Sequence, residues 1–196
     1  MAPYLASSEY IDWMHPSVLE LAKTCARGLA STDEHAITQR CFEWVRDEIK
    51  HSVDYQMSSV TCKASDVLQH RTGYCYAKSH LLAALLRANQ IATGLCYQRL
   101  SLEDNGAPYC LHGLNAVWLK SFGWYRLDAR GNKPGVDAQF DPPHERLAFQ
   151  CQPLDQYERD FPEIWHAPLP CVVEALTTHT TVNSVYQHLP DIEVVG

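Results

Sequence analysis

Arg71-Thr-Gly-Tyr-Cys75-Tyr-Ala-Lys-Ser-His80, running directly into Leu81-Leu-Ala-Ala-Leu-Leu86, reads as a tight turn that delivers a cysteine onto a buried helix. Gly73 permits the close backbone approach or positive φ that such a turn needs, and the Ala, Leu and Arg residues up to Arg87 are strong helix formers. Cys75 therefore falls at or near a helix N-terminus. There the unpaired N–H groups and the macrodipole favour negative charge, and with it the nucleophilic thiolate. A cysteine is by default an inert core residue. What would set Cys75 apart is a base and an orienting group further along the chain.

Two downstream segments supply candidates. Tyr109-Cys-Leu-His112-Gly-Leu-Asn-Ala-Val-Trp-Leu119 and Gly123-Trp-Tyr-Arg-Leu-Asp128 are short, rich in aromatic and apolar residues, and separated by Lys120, Ser121 and Phe122, which is hairpin punctuation. By the two-residue period of a strand, His112, Leu114, Ala116 and Trp118 share one face, and Trp124, Arg126 and Asp128 share one. A thiolate near His112, itself held by Asp128, would give nucleophile, general acid/base and a carboxylate that fixes the imidazole tautomer. A symmetric hairpin centred between Ser121 and Phe122 would set Asp128 opposite Asn115, too far along the strand from His112 for a hydrogen bond. An asymmetric loop or a bulge is therefore expected.

Thr-Gly-Tyr-Cys75 with its Leu/Ala helix, Ala-Ser-Asp66-Val-Leu just upstream, His112 opening a strand and Gly-Trp-Tyr-Arg-Leu-Asp128 together resemble the transglutaminase-like domain of bacterial proteins, which belongs with the papain-like cysteine enzymes. The likeness covers about residues 35 to 130, and Phe-Glu-Trp44-Val-Arg-Asp-Glu-Ile49 resembles the helix that precedes the catalytic region in that family. The resemblance implies an α+β fold, with N-terminal helices packed on an antiparallel sheet, a nucleophile at Cys75, a base at His112 and an orienter at Asp128. Many members carry an aromatic residue directly after the histidine and a proline after the aspartate. Here Gly113 and Ala129 stand in those places. The chemistry expected is acyl transfer from an amide of a peptide or protein substrate through a thioester, with hydrolysis first and amine transfer, as in a protein-glutamine transglutaminase, as the alternative. A non-catalytic peptide-binding module on the same scaffold is the reading from a different class.

At 196 residues with 46% hydrophobic content, the chain is long enough for one domain with a substantial core, and residues 1–196 are expected to form one. The net charge of −7 and scattered basic residues offer no patch for phosphates, so nucleic acid is not an expected partner. No apolar run reaches the length of a membrane span, and Met1-Ala-Pro-Tyr lacks the features of a signal peptide; no membrane association and a cytoplasmic location are expected. The eight cysteines are diffusely spaced in a chain larger than the small secreted class, which favours free thiols. Neither His179 with His188 nor Cys96 with Cys110 has zinc-ligand spacing, so no metal and no cofactor are expected. Nothing in the sequence sets the oligomeric state.

Elsewhere, Ser17–Leu29 and the stretch after Asp33 carry apolar residues at helical spacing, the second behind an N-cap cluster. Trp44, at that spacing, is expected in the core. Residues 50–63 have no period and read as a loop passing the active-site turn, with His51, Asp54 and Tyr55 as candidate substrate-facing side chains. A short helix over residues 64–69 is expected to be capped by Ser65 or Asp66. Residues 92–102 read as the first core strand, and residues 103–108 as a turn. Residues 130–135 read as a plain turn, the proline-bearing stretch 141–149 as an edge segment, and residues 172–186 as a final helix.

Overall fold

The computed structural model describes residues 1–103, 106–152 and 157–192. Positions 104 and 105 of the expected turn lie outside the described residues.

The chain is organised around one helix. Helices α1 (Pro16–Ala26), α2 (Glu34–Glu48) and α3 (Ala64–His70) pack on α4 (Cys75–Ala88), and strands β3 (Thr93–Ser101) and β4 (Tyr109–Leu119) pack against it from the other direction. A helix apolar on all sides belongs in the interior, and every residue of α4 from Cys75 to Arg87 is buried. Its polar residues are buried with partners. Ser79 Oγ donates to the Cys75 carbonyl at 2.8 Å and His80 Nδ1 lies 2.8 Å from the Cys62 carbonyl. The Arg87 guanidinium donates to the carbonyls of Thr93, Ala6 and His166.

Between α2 and α4, strands β1 (Lys50–His51) and β2 (Thr72–Gly73) form a short parallel pair. The main sheet is antiparallel, with order β5-β4-β3-β8, where β5 is Gly123–Leu127 and β8 is Arg159–Asp160. One face of β4 meets α4, and Asn115 Nδ2 donates to the Ser79 carbonyl across that contact at 3.0 Å. The opposite face carries Leu114 and Ala116 in a second apolar cluster with Cys96 and Leu147, flanked by Trp124 and Ile164. Strands β6 (Gln139–Asp141) and β7 (His144–Arg146) form a small hairpin, and helices α5 (Pro170–Thr178) and α6 (Val182–Gln187) follow.

Three expectations need correction. The expected cap of α3 does not come from Ser65 or Asp66: Lys63 occupies the N-cap position without a side-chain bond, and Asp12 Oδ1 from a distant segment accepts from the Ser65 N–H at 3.0 Å. The last helix is two helices, because the chain turns extended at His179 and restarts under a Thr181 cap that accepts from the Ser184 N–H. Residues 50–51 are a strand, with Lys50 half-buried and His51 buried, not solvated loop; β-pairing to the segment just before Cys75 supplies what the sequence period did not reveal.

Candidate active site

Cys75 opens α4, with an extended Tyr74 before it in the N-cap position. The positive φ of the approach falls on Arg71 (54°), the C-cap of α3. Gly73 supplies space instead: a Cβ there would stand 3.1 Å from Ala77 Cβ and 3.3 Å from Thr61 Oγ1.

The hairpin that carries the other two candidates is offset as expected. Pairing runs from Leu119↔Gly123 to Asn115↔Leu127, so the turn is centred on Ser121, and Gly123 takes the positive φ (76°) that closes the three-residue loop. The offset of one residue decides the face. Continued by one step, the pairing would set Asp128 opposite Leu114, on the face His112 shares. Pairing stops at Leu127, and Asp128 turns toward the imidazole: His112 Nε2 lies 2.7 Å from Asp128 Oδ2. The fully buried carboxylate also accepts from the Arg130 N–H and the Ala148 N–H, each at 3.1 Å.

Where β5 ends, the edge of β4 is open, and there the Gly113 N–H points to Cys75 Sγ at 3.4 Å. The structure thus brings all three candidates together, from the start of α4, from β4 and from the residue after β5. Burial by itself would lower the His112 pKa. The Asp128 charge, the Cys75 side chain and the hydrogen bonds outweigh it and push the imidazole up to about 10. Burial opposes ionisation of Asp128 as well, yet His112 and the two backbone donors hold its carboxyl below the usual range. Phe149 closes the imidazole from the side, edge to face at 5.0 Å between centroids, and the Arg130 guanidinium lies over the other ring at 5.4 Å.

The departure at Gly113 has a steric reason. A Cβ at this position would lie 2.9 Å from Tyr76 Cδ1, 3.1 Å from Tyr76 Cα and 3.3 Å from its nitrogen. The start of α4 presses directly on β4, and Tyr76, wholly enclosed, donates its hydroxyl to the Leu111 carbonyl. A side chain after the histidine is thus crowded by both the ring and the backbone of the residue after the cysteine.

Of the three candidates in the 50–63 stretch, His51 and Asp54 join a network behind the site and Tyr55 is exposed. Asp54 takes Arg130 Nη1 at 2.6 Å and Lys133 Nζ at 2.8 Å, and His51 Nδ1 lies 3.5 Å from it without a hydrogen bond. Burial, with the Arg130 charge behind it, lowers the His51 pKa to about 3, so this imidazole is neutral. Lys78, one turn after Cys75, is completely buried with its ammonium on the carbonyls of Ile49 and Arg46, and burial with Arg130 nearby brings its pKa down to about 7. Sequence reasoning missed Arg130, Phe149, Lys78 and Tyr76. Only Tyr76 had a signal, as a bulky neighbour of the cysteine matched by a glycine after the histidine. Among the described residues, no group of three or more His, Cys, Asp or Glu side chains is placed to hold a metal ion.

A helix opening on a cysteine and laid against an antiparallel sheet that carries a histidine–aspartate pair is the papain-like architecture. The chain belongs to the transglutaminase-like superfamily, whose family model matches residues 21–129. Similar solved structures include a candidate cysteine protease from Cytophaga hutchinsonii, at 22% identity over 66% of this chain and 41% of that one, with a TM-score of 0.46. The periplasmic domain of TgpA from Pseudomonas aeruginosa, bound to ethylmercury, is similar at 18% identity over 64% of this chain and 46% of its own, with a TM-score of 0.46. A second crystal structure of that periplasmic domain is similar at 19% identity over 64% of this chain and 45% of its own, with a TM-score of 0.44. The chain spans less than half the length of each of these structures. No curated protein matches it significantly.

Proposed function

We propose that the protein is a thiol-dependent acyl-transfer enzyme in which Cys75 is the nucleophile, His112 the general acid/base and Asp128 the residue that orients the imidazole. The observation that carries this reading is the placement of one imidazole between a buried carboxylate, 2.7 Å from its Nε2, and the thiol that accepts from the Gly113 N–H. With Nε2 held by Asp128, Nδ1 is the nitrogen left to exchange a proton with sulfur. The Cys75 sulfur attacks the carbonyl carbon of an amide, and the oxyanion that forms takes a hydrogen bond from the Cys75 N–H, one of the helix-start donors without an intrahelical partner. The C–N bond breaks as His112 passes its proton to the departing amine, leaving a thioester. Water then attacks the thioester, gives a proton to His112 and releases the acid, and the thiol is restored. The reaction draws on no cofactor.

Hydrolysis is preferred because water needs no binding site, whereas transfer to an amine needs an acceptor site that excludes water. A peptide or protein is the proposed substrate, and a cytoplasmic location accords with the eight free thiols. The test is a paired screen for release of ammonia or amine from peptide amides and for incorporation of a labelled amine, with Cys75→Ala as control. Turnover in the first assay that vanishes in the variant supports the reading. Labelled amine incorporation alone would make the protein a transglutaminase, and no turnover in either, with peptide binding retained, would favour the binding module.

A further inference from the structure

The N-terminal half of β4 has an outer edge that β5 does not cover, and the described part of the C-terminal segment lies on it. Pairing of β5 ends at Asn115↔Leu127. Beyond that point the Gly113 N–H meets Cys75 Sγ, and the Leu111 N–H, one pleat further along, donates to the Pro190 carbonyl at 2.8 Å. Two residues of strand span about 7 Å, so the tail carbonyl is held one or two peptide units from the thiol. The tail is fastened on both sides of that bond. The Asp191 carboxylate takes two bonds from the Arg99 guanidinium, at 2.6 and 2.8 Å. Leu189 and Ile192 pack on the core, and the Tyr74 hydroxyl, from the residue before Cys75, donates to the Val182 carbonyl at 2.7 Å. Cys75 is 7% exposed and His112 4%.

An open strand edge binds extended peptides through their backbone, and side-chain pockets add selectivity. We propose that the β4 edge at Leu111 is where an extended peptide substrate aligns its backbone beside Cys75, and that Pro190 and Asp191 occupy that place as an internal competitor latched by Arg99. An acidic residue directly after the one whose carbonyl meets Leu111 is then favoured in a substrate, because it would take the Arg99 guanidinium from Asp191. The functional meaning rests on Cys75 as nucleophile; the pairing at the edge does not.

Two readouts on the full chain keep these separate: hydrogen exchange at the Leu111 amide, and alkylation of Cys75 by iodoacetamide. Asp191→Arg sets two like charges together in place of a bidentate pair. It should release the tail, expose the Leu111 amide to exchange, and raise the Cys75 alkylation rate about tenfold, the population shift that loss of one charge-assisted pair gives. A synthetic hexapeptide of the tail sequence, residues 187–192, at millimolar concentration should restore both the Leu111 protection and the slow alkylation. The same peptide with its Asp replaced by Arg should restore neither. A melting curve close to that of the wild type establishes that the variant is folded, and Asp191→Ala, with a smaller effect in the same direction, serves if it is not. Leu111 protection unchanged in a folded variant, or lost with no gain in alkylation, or a peptide that restores nothing, would overturn the proposal. If Leu111 responds as stated and no peptide is ever turned over, the edge stands and the catalytic reading falls.

Discussion

Gly113→Ala adds one methyl group at the closest contact between the helix start and the sheet. The new Cβ would sit 2.9 Å from Tyr76 Cδ1, 3.1 Å from Tyr76 Cα and 3.3 Å from Tyr76 nitrogen. None of these atoms is the loose end of a flexible side chain: Tyr76 is fully enclosed and tied through its hydroxyl to Leu111. The methyl group can be accommodated only if β4 and α4 separate by several tenths of an ångström. Overpacking of this kind costs about 1–3 kcal/mol, which for a chain of this size lowers the melting temperature by roughly 2–12 °C. The same displacement lengthens the 3.4 Å contact between the Gly113 N–H and Cys75 Sγ, so Cys75 should be alkylated more slowly as well. Thermal melts and iodoacetamide labelling of the folded variant measure the two effects. Tyr76→Phe in the same background removes the Leu111 bond but not the contact, and should leave the methyl penalty in place. A Gly113→Ala protein as stable as the wild type, with Cys75 labelled at the wild-type rate, would refute the steric account of this glycine.

Acid should destabilise the fold well above the carboxylate range. His80, enclosed, has its pKa lowered to about 4 by burial, and a base whose folded pKa is depressed favours unfolding as pH falls from ~6.5 through the folded value. His80 should account for on the order of 3 kcal/mol of the difference between denaturant titrations at pH 7 and pH 4, and His80→Gln should remove that share while leaving the one that His51 adds in the same sense. An equal slope in that variant would refute the assignment. The His112–Asp128 pair works in the opposite sense at high pH: with its folded pKa raised to about 10, His112 adds stability that is complete below ~6.5 and lost as pH rises through 10. Asp128→Asn should erase that alkaline loss. Asp54→Asn should loosen Arg130 and Lys133 and cost about 1–3 kcal/mol in denaturant unfolding, since it leaves a buried guanidinium without its carboxylate. Chelators should leave the melting temperature unchanged, because among the described residues no group of three or more His, Cys, Asp or Glu side chains is placed to hold an ion; a fall of several degrees would contradict this.

The central helix, the His and Asp strands and the family were legible because each leaves a local mark. Cys75 is followed by an unbroken Leu/Ala run, and Gly123 follows three turn residues between two aromatic strands. The need for an asymmetric hairpin followed from counting residues, but its form, a turn centred on Ser121 that places Asp128 on the His112 face, is set by register. What stayed illegible depends on contacts distant in sequence. Asp12 caps α3 from more than fifty positions away, and nothing near Ser65 announces it. Arg130 looks like a turn residue because its role lies in a backbone N–H to Asp128 and a guanidinium over Phe149. His51 sits in an aperiodic stretch because a two-residue parallel strand is too short to show a period. Pro190 carries no chemistry of its own and becomes informative only where its carbonyl meets the edge of β4.

Selective alkylation of the eight cysteines at mildly acidic pH tests the assignment of Cys75 most directly. All share one solvent, so rate differences report local ionisation and access. Burial pushes Cys62, Cys96 and Cys110 up to about 12 and Cys151 to about 11, which makes them poor nucleophiles at pH 6. Cys75 faces an imidazole that stays protonated there, and brief treatment with iodoacetamide followed by peptide mapping should find it labelled ahead of all four, even with the tail in place. His112→Ala should remove most of that lead, and Asp128→Ala should reduce it by freeing the imidazole. A Cys75 that reacts no faster than Cys62 or Cys151, in the wild type and in both variants alike, would contradict the account.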